Sequence, residues 1–311
     1  MLLRQISPSD NLTNVILTGL EKNAPALQDI QFYSKMGDAD SLKKQRTGST
    51  TSIFRPLNED NEATPPSNTY DPIAKKIVSF DIKVDRVLED RNEDVATELV
   101  TQSGLEAEDA GWILQEKFFE GNSSTEGSDE FDGLRRMVKN AWIKTAGTNG
   151  LVAALGNSDA AVTAQQTFME SLINFFKLVR GGASHCYMNE FMQTRILTIA
   201  KNLGYYRQSK DELGNIVDLI GKTIIRGAGY KKNGDANLPF TETVGENHKC
   251  SSIFLARWGE RKDLSALTSV GCKAVYAGLV GNFYTNNVNM DMALALQNDT
   301  ALVQVKGYSL E

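Results

Sequence analysis

What this chain lacks narrows its class. Its three cysteines, Cys186, Cys250 and Cys272, are odd in number and widely spaced across 311 residues, with no C-x-x-C pair. That argues against a disulfide framework or a zinc knuckle and fits a reducing compartment. Two histidines, His185 and His248, are present, neither with the i, i+4 partner or carboxylate spacing of a zinc protease. No apolar run approaches the roughly 18 to 20 residues a bilayer crossing needs, and Met1 to Asp10 lacks the long apolar segment of a secretion signal. A soluble protein made in a cytoplasm, with no membrane partner, is expected. Basic charge is also scarce: the formal net charge is -6 and the sequence pI is near 5.2. A sequence-reading nucleic-acid binder would need a basic stripe for its phosphate contacts.

Catalytic signatures are missing as well. There is no G-x-x-x-x-G-K-[ST] loop and no G-x-S-x-G elbow, and Gly227-Ala228-Gly229 lacks the third glycine of a dinucleotide fingerprint. Cys186 beside His185 suggests a thiol enzyme at first sight, but neighbouring strand residues point to opposite faces. Asp81 and Asp85, with Lys83 between them, read as a solvated strand face and not as an acid-base pair. No catalytic residue, metal ligand or cofactor is assigned.

What is present is ordinary globular material, 41% hydrophobic and 23% charged, enough for one large or two smaller cores. Asn11 can cap a helix in which Leu12, Val15, Ile16 and Leu20 share one face, ended by Pro25. A helix this short is marginal alone in water, so its stripe must dock on the same subunit or the next.

Val78, Phe80, Ile82 and Val84 alternate strictly with Ser79, Asp81, Lys83 and Asp85, which predicts a half-buried strand. A weaker strand signal runs through Thr50 to Leu57, and Asn58 to Pro72 lies between the two. The pair reads as a long hairpin with an unusually long tip, and a two-stranded hairpin needs a surface to lie on. Phe54 and Leu57 supply apolar contact on this arm. Lys43, Lys44, Arg46 and Arg55 give it positive charge suited to carboxylates of a partner subunit, for which Glu126, Asp129 and Glu130 are candidates.

Asn92 to Phe119 predicts a helical spine, bent or broken because Gly104 and Gly111 each weaken it by about 1 kcal/mol relative to alanine. Beyond a small-residue linker at Gly147 to Asn157, helices are expected over Val162 to Val179 and Glu190 to Leu203. Strands are expected over Ser184 to Met188, Ile216 to Ile225, Ser251 to Trp258, Cys272 to Leu279, Met292 to Leu296 and Ala301 to Val305. Helices and strands fall in blocks, which indicates an α+β fold.

This order of elements resembles the major capsid proteins of tailed double-stranded-DNA bacteriophages, the Hong Kong 97-type fold. Phe118-Phe119-Glu120-Gly121-Asn122, then Phe131-Asp132-Gly133-Leu134, is similar to the family's spine-helix end and following segment. Ser252-Ile253-Phe254-Leu255-Ala256-Arg257-Trp258-Gly259 is similar to its late buried strand.

The resemblance implies an N-arm over 1–37, an extended loop over 38–89, a peripheral domain with the spine helix over 90–149, an axial domain over 150–270, and C-terminal strands returning over 271–311. It further implies a shell subunit that builds pentamers and hexamers of an icosahedral head, assembled in the bacterial cytoplasm and enclosing DNA without reading its sequence. A portal, a separate scaffolding protein and a decoration protein are the partners it suggests. No lysine, asparagine and assisting glutamate match the family's crosslink, so none is expected. Inter-subunit contact would fall to Leu12, Ile16 and Leu20 of the N-arm and to the arm and acidic residues named above. An encapsulin-type nanocompartment shell is the alternative within the fold, and an enzyme with an unrecognised site the alternative outside it.

Overall fold

A computed structural model describes residues 1–34, 39–43, 57, 70–91, 94–125, 129–211, 213–260 and 262–311; for 39–43 and 70–72 it describes the backbone alone. The N-terminal helix, Asn11–Asn23, is where the apolar spacing puts it, but its cap is Asp10. The Asp10 carboxylate accepts the Thr13 N–H at 2.8 Å and the Thr13 hydroxyl at 2.9 Å. The helix's stripe docks on its own chain: Ile16, Leu17 and Leu20 are buried in the same core as Leu99, Ala107 and Leu114 of the spine helix.

The spine is one helix, Val95–Glu120, capped by Asp94, which accepts the N–H groups of Ala96 and Thr97. The expected cap, Asn92, lies outside the described residues. The spine's glycines do not divide it. A Cβ on Gly111 would lie 2.7 Å from the Leu20 carbonyl oxygen, and one on Gly19 would lie 2.8 Å from the Ala107 Cβ. The propensity cost of glycine is offset by the close approach of two helix backbones.

The strongest strand, Lys76–Asp85, has its alternation as expected: Ile82 and Val84 are buried, while Asp81, Lys83 and Asp85 are exposed. Its partner is not the arm. It pairs antiparallel with the other end of the chain, from Phe283 opposite Asp85 to Met292 opposite Lys76. Period-two alternation reports a buried face and says nothing about which strand adjoins the edge. The ribbon of the arm is Ala39–Lys43 paired antiparallel with Tyr70–Ala74. Among the described residues this is a two-stranded sheet of its own. The described strands of the limb are thus 39–43 and 70–74, whereas 76–85, counted in the expected extended loop, pairs within the peripheral sheet. The expected strand Thr50 to Leu57 lies outside the described residues except Leu57 itself, a turn residue.

The peripheral sheet runs in the order Phe32–Ser34, Leu264–Thr268, Phe283–Leu296, Lys273–Val280, with Lys76–Asp85 also on Phe283–Leu296. A second, nine-stranded sheet has Asn247–Ala256 and Leu302–Ser309 antiparallel at its middle and His185–Met188 beside them. The single strand expected over Ile216 to Ile225 is two, Ile216–Ile220 and Thr223–Gly227, reversed at Gly221 (φ +65°), a left-handed position that suits glycine.

Both faces of the middle of this sheet are buried, which explains why its central strands read as continuous apolar runs. Phe254, Ala256 and Tyr187 face the core shared with the spine and N-terminal helices. Ile253, Leu255, Cys186 and Met188 face a second core closed by helices Asp159–Leu178 and Glu190–Asn202.

Candidate assembly surfaces

The arm leaves the body beside a buried ion pair. Lys75, between the ribbon and the peripheral strand, has a side chain 3% exposed; its ammonium donates to the Ser269 hydroxyl at 2.8 Å and lies 3.6 Å from Asp291. Burial alone would raise the Asp291 carboxyl, but the Ser269 and Thr268 donors, with Lys75, hold it below the ordinary carboxylate value.

A second buried ion pair lies at the other end of strand Phe32–Ser34, on Asp29. Its carboxylate accepts Arg226 Nη2 at 2.8 Å and Nε at 3.1 Å, and His185 Nε2 is 3.5 Å away. Tyr187 donates to Asp29 at 3.4 Å and accepts the Trp258 indole N–H at 2.9 Å. Burial opposes the Asp29 charge; His185 and Arg226 overcome it and hold the carboxyl below its ordinary value. No local pattern in the sequence signals either pair, since Asp29 and Arg226 are 197 positions apart.

The expected contact residues separate into three groups. Ile16 and Leu20 are consumed inside the subunit and offer nothing to a neighbour, while Leu12 is half-buried and packs on the same core. Their stripe found its own spine because the glycines let the two helices touch. Glu130 is tied to its own Lys117 at 2.7 Å, which holds its carboxyl below the usual value. Asp129 is fully exposed, 4.0 Å from Lys76 at the arm root, a screened pair of little worth. Leu57 is 91% exposed. Lys43 ends the first ribbon strand, paired with Tyr70. Lys44, Arg46, Phe54, Arg55 and Glu126 lie outside the described residues.

The capsid-like Phe131-Asp132-Gly133-Leu134 segment has a packing reason: a Cβ on Gly133 would lie 2.7 Å from the Gly121 nitrogen and from the Lys117 carbonyl oxygen. It locks the chain against the end of the spine.

Cys186, Cys250 and Cys272 are all buried, and burial pushes the Cys186 thiol well up. Cys186 and His185 face opposite sides of their strand, one in the second core and the other against Asp29. Among the described residues no group of three histidine, cysteine or carboxylate side chains is placed to hold a metal ion, and no helix is long and apolar enough to cross a membrane.

No family model and no curated protein matches the sequence. Solved structures do match its shape. The chain is similar to the holo-SrpI encapsulin complex from Synechococcus elongatus PCC 7942, with a TM-score of 0.59 at 12% identity over 92% of this chain and 88% of that one. It is similar to the capsid of the native GTA particle, with a TM-score of 0.56 at 14% identity over 92% and 91%. The capsid of Myoviridae phage XM1 gives a TM-score of 0.52 at 13% identity over 91% and 90%. The architecture is thus that of shell-forming proteins across almost the whole chain. It is the α+β, Hong Kong 97-type fold.

Proposed function

We propose that this chain is the repeating wall subunit of an icosahedral phage head, a major capsid protein whose work is self-assembly. The observation that carries the reading is the two-stranded ribbon 39–43/70–74, which among the described residues pairs with neither of the other two sheets. Such a ribbon is marginally stable in water and gains its stability by lying on a neighbour. The whole-length likeness to assembled capsids supports the same conclusion. Pentamers and hexamers would enclose DNA in a virion built in the host cytoplasm, with portal, scaffolding and decoration proteins as partners, and the chain would have no catalytic role. The encapsulin likeness keeps a nanocompartment shell as the second reading, separated from the first by what the particle contains, DNA and a portal or a cargo protein.

Electron microscopy of the purified protein, expressed alone and with its neighbouring genes, tests this. Closed particles of uniform diameter are expected, and deletion of 44–69 is expected to leave a folded subunit that closes none. A monomer under every condition, with a melting point that responds to a small ligand, would point to an enzyme instead.

A further inference from the structure

Where the spine begins, one end of the peripheral sheet is only partly covered, and a concave space of about 590 Å³ opens there. Its wall is apolar: Leu12 of the N-terminal helix, with Val95, Leu99 and Val100 of the spine's first turns. Glu89, Asp94 and the phenols of Tyr276 and Tyr284 stand around its mouth, and Asn286 lies at its floor.

Strand register assembles the polar side. Tyr276 lies directly opposite Asn286 across the hairpin, and Tyr284 is two residues before it, so all three share one face of the sheet. Farther along that face Val288 and Met290 are buried in the core, so an apolar side chain is the ordinary occupant of such a position. Asn286 stands there instead, 2% exposed. The Ser103 hydroxyl gives its single proton to the Leu99 carbonyl at 2.6 Å and therefore accepts from Asn286 Nδ2 at 3.1 Å. That leaves Asn286 Oδ1 buried with no donor among the described residues, an uncompensated partial negative charge at the pocket floor.

The rim has the same sign. Tyr284 donates to the Glu89 carboxylate, which holds the phenol above its ordinary value and so keeps it protonated. Asp94 accepts the Ala96 and Thr97 N–H groups and offsets the positive end of the spine helix. From Asp85 to Asp94 the sequence carries five carboxylates against the two guanidiniums of Arg86 and Arg91. An anion is repelled by such a rim, and no three carboxylates converge to hold a metal ion among the described residues. Tyr276 is 55% exposed and Tyr284 half-buried, so both rings can be reached from solvent.

We infer that this pocket binds a small organic cation, an aliphatic diamine or polyamine, with its methylenes along Val95 and Leu99 and an ammonium group between the Tyr276 and Tyr284 rings and Glu89. A methylene chain gains from the apolar wall, and an ammonium gains from aromatic faces and a carboxylate together. The space is of the size that small ligands occupy. Every contributing residue belongs to one subunit, so the site does not depend on the shell reading.

Isothermal titration calorimetry of the full chain tests this with octanediamine, and with octanediol as the neutral molecule of equal length. Octanediamine is expected to bind saturably at one site per chain, and octanediol at least about tenfold more weakly. Magnesium chloride and sodium chloride matched in ionic strength should weaken the diamine equally. Glu89→Gln keeps the acceptor for Tyr284 and removes the charge, whereas Tyr276→Leu keeps apolar bulk and removes the aromatic face. Each should weaken octanediamine about tenfold, the size of one such contact. Both positions are exposed, so melting points should stay within about 1 °C of the parent.

Equal affinity for diamine and diol in the unsubstituted protein, or no saturable heat from the diamine, overturns the inference whether or not the variants fold. Unchanged affinity in both variants does the same. So does preferential displacement by magnesium, the mark of a diffuse acidic surface. A lysine-rich peptide that binds where octanediamine does not would assign the pocket to a protein partner and likewise overturn it.

Discussion

Alanine at Gly104 and alanine at Gly111 should shift stability in opposite directions, although both sit on the same helix and a propensity scale treats them alike. Replacing a helical glycine by alanine gains about 1 kcal/mol of conformational free energy. At Gly104 the new methyl would have the Val15 side chain 3.9 Å away as its nearest neighbour, so the gain is kept. At Gly111 it would lie 2.7 Å from the Leu20 carbonyl oxygen, 3.2 Å from the Asn23 Cβ and 3.4 Å from the Leu20 carbonyl carbon. No flexible side-chain end can yield there, so the N-terminal helix must lift from the spine. Overpacking of this kind costs roughly 1 to 3 kcal/mol, which cancels or exceeds the gain. Differential scanning calorimetry of the unassembled subunit reads the contrast. With about 2 °C per kcal/mol for a chain of this size, Gly104→Ala should melt higher by ~2 °C and Gly111→Ala lower by up to ~4 °C. Equal shifts of the same sign would show that the crossing is looser than described and that the glycines act through propensity alone.

Two further outcomes follow from the buried contacts. Asp29→Asn removes the closer of the two carboxylates beside Arg226, the other being Asp211 at 3.6 Å, and should lower unfolding free energy by about 3 kcal/mol in urea titration. Because the folded Asp29 carboxyl is held below its ordinary value, its contribution is present above about pH 4 and is lost as pH falls through and below that value. The variant should therefore show a flatter decline in stability on acidification than the parent. Gly133→Ala drives a methyl against three backbone atoms at 2.7 to 2.8 Å and should cost roughly 1 to 3 kcal/mol, read as a lower urea midpoint with unchanged slope.

Faces were legible in the sequence and partners were not. The stripe of Ile16 and Leu20, the alternation of Val78 to Val84 and the apolar run at Ser251 to Trp258 each report how one element meets a core, and each appears in the structure. Which element lies across the interface depends on residues hundreds of positions away. Hence the strand Lys76–Asp85 was matched with the arm when its partner is Phe283–Met292. The spine glycines looked like breaks because propensity is local, whereas their purpose depends on Gly19 and Leu20 coming alongside. Neither Asp29 with Arg226 nor Lys75 with Asp291 has a short-range signature, so both buried ion pairs emerged only from coordinates.

The middle strand Asn247–Ala256 sends alternate side chains into two different hydrophobic interiors. The lobes consequently share a common wall, and sliding one against the other would tear buried methyl groups from both. In the proposed shell, a particle built of such subunits would have little compliance inside each protomer. Its elasticity would then reside between molecules, where contacts could flex without unfolding any of them.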